Sequence, residues 1–163
     1  MGVYYIKPRA THQVKMNTIE IDAKLSKVES FLGAFAWDLL PPKPDSEFSL
    51  IINDDKSTLP GNHWLCLVKK NGVLYFIDSY GRDFNDATFD ASFSAKMMQY
   101  IGDETCIKNK TWLQQLTSNT CALYGIYFIN EMQKRSFKSC LAVFTDNLET
   151  NDNLVLNYVR TNF

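Results

Sequence analysis

The chain has 163 residues, of which 45% are hydrophobic and 13% aromatic, and its formal net charge is -1. This length fits one domain over residues 1–163 with a buried core, and the composition argues against a disordered or fibrous protein. The near-neutral charge disfavours binding that is driven mainly by phosphate neutralisation. Local basic clusters are expected to be solvated faces or helix ends: Lys69 and Lys70, Lys108 and Lys110, and Lys134 with Arg135 and Lys138.

No apolar run approaches the ~20 residues that span a membrane as a helix. The first residues lack the basic-then-apolar layout of a signal peptide, and Ile6 stands where a myristoylation motif needs Ser or Thr. We therefore expect a soluble, intracellular protein without a membrane partner, whose cysteines are mostly reduced. With two histidines and no Cys-x-x-Cys pair, a structural zinc site is not expected. The cysteines are Cys66, Cys106, Cys121 and Cys140.

The first predicted element is a helix over residues 17–32. Apolar residues recur there at helical spacing, Asn17 or Thr18 can cap the start, and Gly33 suits a left-handed end. Residues 39–45 include three prolines, which remove backbone donors and fix φ, so this segment should be irregular.

A sheet is predicted in the middle of the chain. Asn71-Gly72, between two apolar runs, is the strongest short signal for a two-residue β-hairpin. The predicted strands are residues 48–52, 63–70, 73–78 and, later in the chain, 112–116.

A helix over residues 122–132 is apolar on every face, which is typical of a central buried helix. Ser118, Asn119 and Thr120 can cap its start, and Lys134 and Arg135 complement the dipole at its end. Flanking helices are predicted over residues 93–101, 137–144 and 153–160. The pattern predicts an α+β fold, in which a small mixed or antiparallel sheet packs on the central helix.

Cys121 falls in the first turn of the predicted central helix. Unpaired amides and the positive end of the helix dipole favour a thiolate at such a position. A nucleophilic thiol needs a nearby base, and histidine is the usual one. His12 lies in a polar segment without a surrounding pattern, whereas His63 opens a predicted strand and could border a cleft. We therefore predict Cys121 as nucleophile and His63 as base.

Asp78 is predicted to orient His63. If Asn71-Gly72 forms the turn, Lys70 faces Val73 and position 65 faces Asp78. His63 is then two residues away from that position, on the same face of the sheet as Asp78. A shift of one residue would put the two side chains on opposite faces.

An oxyanion donor and the remaining cysteines complete the candidate site. The backbone amide of Cys121 is one donor, and Gln114-Gln115 offers a side-chain amide. Cys66 should point away from the face of His63, Cys140 should lie in the core, and Cys106 could be exposed.

His63, Asp78, the glutamines and Cys121 follow one another along the chain in three motifs. These are Gly61-Asn62-His63-Trp64, residues 75–81 and residues 114–124. The combination resembles the adenovirus-type (adenain-like) cysteine endopeptidases, relatives of the ubiquitin-like-protein proteases, whereas papain-like enzymes place Gln and Cys before His. Phe31-Leu32-Gly33 and the short apolar strand before His63 resemble the adenovirus branch in particular. The likeness covers about residues 28–130.

The resemblance implies a thiol protease with His63, Asp78, Gln115 and Cys121 as catalytic residues, Gln114 being the alternative to Gln115. Trp64 would form the wall of a narrow substrate cleft, in keeping with cleavage at glycine-containing sites. A viral or virus-like maturation protease would cleave capsid or precursor proteins in the host nucleus or the virion. Relatives are activated by a short viral peptide, linked through a cysteine at about the position of Cys106, and by DNA. No cofactor is required by the sequence itself, and a monomer is expected.

Two departures from the family pattern keep other functions open. Ala122 follows the nucleophile where the family usually has glycine, which leaves an inactive, peptide-binding relative as one alternative. Asp78 stands where the adenovirus branch commonly has glutamate. This favours a second alternative, a deconjugating protease for ubiquitin-like proteins.

Overall fold

A computed structural model describes residues 15–163, so His12 lies outside the described residues. The fold is α+β, with a five-stranded mixed sheet and helices on both faces. The elements in chain order are α1 (Thr18–Leu25), β1 (Phe31–Ala36), a 3₁₀ turn (Trp37–Leu39), β2 (Phe48–Asn53), β3 (Trp64–Lys70), β4 (Val73–Ile77), α2 (Ala91–Ile101), β5 (Cys106–Lys108), α3 (Cys121–Glu131), α4 (Phe137–Leu141) and α5 (Leu148–Asn162).

The strands lie side by side in the order in which they occur in the chain. The three central strands are antiparallel, and β1 and β5 add parallel edges to β2 and β4. Alternate residues of β3 point to opposite faces. Trp64 and Cys66 therefore pack with α1, α3 and α5, whereas Leu65 and Leu67 pack with α2. The sheet thus separates two apolar cores.

The predicted hairpin is confirmed. Lys70 pairs with Val73, and Asn71 and Gly72 both have positive φ angles, of 51° and 74°, as a type I′ turn requires. The pairing continues to Cys66 opposite Ile77. It therefore has the register from which Asp78 was predicted to lie near His63.

The first helix is shorter than predicted. Asn17 caps it with a reciprocal pair of hydrogen bonds to Glu20, but the helix ends at Leu25. Residues 31–36 form strand β1, so the predicted continuation to residue 32 is wrong. Leu32 is 38% exposed on this edge strand instead of lying on a buried helical face. Gly33, expected at a helix end, lies inside the strand at φ 137°.

The predicted strand at residues 112–116 is also wrong. This segment is an irregular loop, whose backbone amides at Leu113 and Gln114 donate to the carbonyl of Ser79. Leu113 is fully buried, so its apolar character reflects insertion into the core. The fifth strand is β5, which is three residues long and pairs with β4.

The central helix is confirmed as buried, with nine of its eleven residues inside the core. Its cap differs from the prediction, because the Thr120 side chain makes no capping bond. The Thr120 hydroxyl donates instead to Asp152 of α5, at 2.8 Å. The first backbone amides of α3, which begins at Cys121, therefore donate no hydrogen bond to the Thr120 side chain.

Candidate active site

Cys121 is the first residue of α3 and is 5% exposed. Its thiol group hydrogen bonds to the imidazole of His63 and to the backbone amides of Trp64 and Ala122. Burial alone would raise the pKa of this thiol, but the positive charge of His63 and the hydrogen bonds outweigh burial and lower the pKa. The local environment therefore favours the thiolate of Cys121.

His63 lies immediately before β3 and is 5% exposed. Its Nε2 is 2.7 Å from Oδ1 of Asp78, which leaves Nδ1 as the nitrogen that can meet the thiol. Burial disfavours the imidazolium, but the hydrogen bonds with Asp78 and Cys121 outweigh burial and raise the pKa of His63 to about 9. A thiolate–imidazolium pair is thus favoured around neutral pH.

Asp78 directly follows β4 and is fully buried. Besides His63, its carboxylate accepts hydrogen bonds from the backbone amide of Tyr80, at 3.1 Å, and from Nε of Arg82, at 2.7 Å. Burial would raise the pKa of Asp78, but His63 and Arg82 hold the pKa below its usual value. Asn109 exchanges hydrogen bonds with both the amide and the carbonyl of Asp78, which fixes the backbone at this position.

The loop that carries His63 is held by polar side chains at the end of β2. The amide of His63 donates to Oδ1 of Asp54 at 2.8 Å, and the amide of Asn62 donates to Asn53 at 3.1 Å. Gly61 has φ 90°, and a Cβ there would be 3.1 Å from the amide nitrogen of the Asn53 side chain. This close packing fixes the position of His63, which immediately precedes β3.

The two glutamines have different environments. The side chain of Gln114 is buried, accepts from the Ser79 hydroxyl at 2.6 Å and donates to the carbonyl of Ser118 at 3.0 Å. The half-buried side chain of Gln115 makes no hydrogen bond to another described residue. The Gln114 amide is therefore engaged within the loop, whereas that of Gln115 can turn to a ligand.

A cleft of about 600 Å³ lies beside Trp64. It extends between the start of α1, strand β1 and the loop that leads to His63, and the exposed side chains of Leu39 and Leu59 border it. The indole Nε1 of Trp64 donates to the carbonyl of Met16 at 3.0 Å, which fixes the ring at the side of this cleft. Trp64 thus forms part of the wall of this cleft, whereas Cys121, His63 and Asp78 do not line it.

The other cysteines lie apart from this site. Cys66 packs under α3 beside Gly125, and burial raises its thiol pKa far above the usual value. Cys140 is fully buried, as predicted. Cys106 begins the edge strand β5, is partly exposed, and has a pKa raised by burial.

Four residues near the site were not singled out from the sequence. Tyr80 stacks on the imidazole of His63, with ring centroids 4.7 Å apart and planes at 16°. Arg82 pairs with Asp78, and Asp54 anchors the loop before β3. Asp152 of α5 accepts hydrogen bonds from residues 115, 120 and 124. Arg82 follows Asp78 by four residues and could have been suspected, but no local signal marks Asp152.

Cys121, His63 and Asp78 form a connected chain, an arrangement that can activate a thiol for attack on a carbonyl group. Residues 15–163 contain no cluster of three or more His, Cys, Asp or Glu side chains that could hold a metal ion. Among the helices of this part of the chain, none combines the length and apolarity needed to cross a membrane. Comparison with protein-family models and with curated proteins gave no match for this chain.

Proposed function

We propose that this chain is a cysteine endopeptidase. The observation that carries the proposal is the connected set of Cys121, His63 and Asp78, with the thiol at the start of a buried helix and the imidazole hydrogen bonded to both partners. Structural cysteines are commonly buried with a raised pKa, as Cys66 is, whereas the pKa of Cys121 is lowered. The contrast within one chain supports a chemical role for Cys121.

The reaction follows from the order of these contacts. The Cys121 thiolate attacks the scissile carbonyl carbon, and the oxyanion accepts hydrogen bonds from the Cys121 amide and from the side-chain amide of Gln115. Imidazolium at His63 donates its proton to the departing amine, which leaves a thioester on Cys121. Water then attacks the thioester, His63 accepts the proton of that water, and the peptide acid is released while the thiolate–imidazolium pair re-forms.

The cleft beside Trp64 supports an extended peptide as substrate. Trp64, which lines it, directly follows His63, and the exposed side chains of Leu39 and Leu59 add apolar lining. The resemblance to adenain-like enzymes adds cleavage at glycine-containing sites in capsid or precursor proteins of a virus or virus-like element. Activation by a short peptide near Cys106, a contribution from DNA, and a location in nucleus or virion belong to the same proposal.

The test is cleavage of a library of glycine-containing peptides by the wild-type chain and by Cys121→Ala. We expect activity in the wild type and a loss of several powers of ten, of the order seen when a nucleophile is removed from such sites. Cys140→Ala is a matched control, because it removes another buried thiol outside the site. Equal turnover by wild type and Cys121→Ala would refute the proposal.

The same assay separates the alternatives. Asp78 in place of glutamate favours a deconjugating enzyme, so the panel includes ubiquitin-like proteins with Gly-Gly tails joined to a reporter. If these fusions are cleaved and none of the peptides is, the proposed function changes from an endopeptidase to a deconjugating protease. Binding of peptides without cleavage, together with a Cys121 thiol no more reactive than the other thiols, would indicate an inactive relative.

A further inference from the structure

We propose that Arg82 is a positioning residue of this site, which holds the second oxygen of Asp78 and limits how strongly Asp78 stabilises protonated His63. The inference rests on the proposed function. Arg82 does not contact the thiol of Cys121 and would act only through Asp78. Its Nε donates to Oδ2 of the carboxylate at 2.7 Å, while Oδ1 lies 2.7 Å from the imidazole. One buried carboxylate is therefore shared between two cations.

The backbone after β4 brings Arg82 back to this carboxylate. The amide of Gly81 donates to the carbonyl of Asp78 at 2.8 Å, which closes a tight turn. Gly81 has φ 69°, and a Cβ there would lie 2.8 Å from the backbone of Thr111. Only glycine fits this turn, and the turn places both the Tyr80 amide and the Arg82 side chain on Asp78.

The guanidinium is fixed on its other sides as well. It lies 4.0 Å from the ring centroid of Phe89 and 5.4 Å from that of Tyr80, and Nη1 donates to the hydroxyl of Thr88 at 3.2 Å. The Arg82 side chain is 20% exposed. An exposed ion pair contributes little to stability. Arg82, however, is partly buried, stacked on aromatic rings and paired with a fully buried carboxylate, so its removal should change the electrostatic environment of Asp78.

The charges around this pair determine the direction of the effect. Among residues 15–163, the cations that contact Asp78 are Arg82 and protonated His63, so without Arg82 the carboxylate acts more strongly on His63. The protonated imidazole is then stabilised further, and it loses its proton at higher pH. Within the described part of the chain, the other titratable groups that face Asp78, His63 or Arg82 are Cys121 of α3, Asp54 after β2, Tyr80 in the turn, Asp86 in the following loop and, through Tyr80, Asp152 of α5.

The test follows the imidazole of His63 by NMR in the full chain across pH, with His12→Gln used to assign the second signal. In Arg82→Met we expect the midpoint for loss of the His63 proton to rise by roughly one pH unit. The alkaline limb of kcat/KM for peptide cleavage should move in the same direction. Arg82→Lys keeps the charge but loses the planar guanidinium, so kcat should fall while both midpoints stay near those of the wild type.

Arg160→Met is the matched control, since it removes the same charge from an exposed position on α5. Where Arg82→Met does not fold, Arg82→Gln provides the same comparison. An unchanged His63 midpoint in the neutral variant, or an equal rise in Arg160→Met, overturns the inference. If Arg82→Met shifts the His63 midpoint but the wild-type chain cleaves no peptide, the role of Arg82 is supported and the proposed function is refuted.

Discussion

The adjacent glutamines before Cys121 illustrate how environment separates a structural side chain from one that can act on a substrate. Gln114 links Ser79 to Ser118 inside the loop, and its removal leaves a buried hydroxyl and a carbonyl without these partners. Gln115 has no such bonds to described residues. The two amides are chemically identical, so substitution at each position can be compared directly.

We expect Gln115→Ala to lower kcat by about 100-fold, the usual cost of losing one oxyanion donor, with little change in thermal stability. Gln114→Ala should lower the free energy of unfolding by about 1–3 kcal/mol, because buried polar groups lose their partners. Peptide kinetics and denaturant unfolding of both variants measure the two effects. If Gln114→Ala is the variant that loses kcat at wild-type stability, the assignment of the oxyanion donor is reversed.

Asp78 could be found from the sequence, whereas Arg82 could not be assigned a role. The two-residue turn at Asn71-Gly72 fixes the register, and a period of two along each strand then decides which side chains share a face. Arg82 reaches Asp78 only because Gly81 directs the chain backwards against Thr111. The contact between Gly81 and Thr111 joins residues that are far apart in sequence, so no local pattern predicts it.

At the scale of the elements, helix α3 packs closely against the sheet at Gly125. A Cβ at this position would be 3.0 Å from Cδ1 of Ile51 and 3.6 Å from Cβ of Cys66. The helix therefore lies closer to β2 and β3 than a larger residue would permit. Because Cys121 begins the same helix, this packing also helps to position the proposed nucleophile relative to the sheet.

Gly125→Ala has two opposing effects on stability. Alanine gains about 1 kcal/mol of helix propensity over glycine, but its methyl group must displace Ile51. Ile51→Val removes the Cδ1 atom that would be closest. We therefore expect Gly125→Ala to be more favourable in the Ile51→Val background by about 1 kcal/mol, measured as a coupling energy in a double-mutant cycle. Strict additivity of the two substitutions would contradict this account of the packing.

Elements with a strong local signal were predicted well, and the edges of the sheet were not. The hairpin and α3 follow from turn chemistry and continuous apolar character. The first two residues of β1 were predicted as helix because Val28 and Leu32 continue a helical spacing, although the helix ends at Leu25; the rest of this strand was not predicted. Strand β5 spans three residues, too few for a period to be recognised, and its pairing with β4 defines it.

At the scale of the whole molecule, the last helix completes a site whose other parts come from the middle of the chain. Asp152 of α5 is nearly buried and accepts hydrogen bonds from the amide of Gln115 at 3.2 Å and from the hydroxyls of Thr120 and Tyr124, each at 2.8 Å. These donors lie on either side of Cys121. The contacts of α5 with α3 and with the loop before it therefore help to hold Gln115, the proposed oxyanion donor, in place.

Asp152→Asn tests this connection. The variant keeps the shape of the side chain, but its new amide group faces a donor, so we expect a loss of about 2 kcal/mol in the free energy of unfolding. Because the Gln115 loop loses an anchor, kcat should fall by at least about tenfold, since small displacements of catalytic groups are costly.

Thr120→Val should lower the free energy of unfolding less in Asp152→Asn than in the wild type, because the hydrogen bond that it removes is already weakened. Asp146→Asn, which neutralises an exposed carboxylate before the same helix, serves as the control. Wild-type kcat in Asp152→Asn, despite the lost stability, would show that α5 supports the fold without positioning the site.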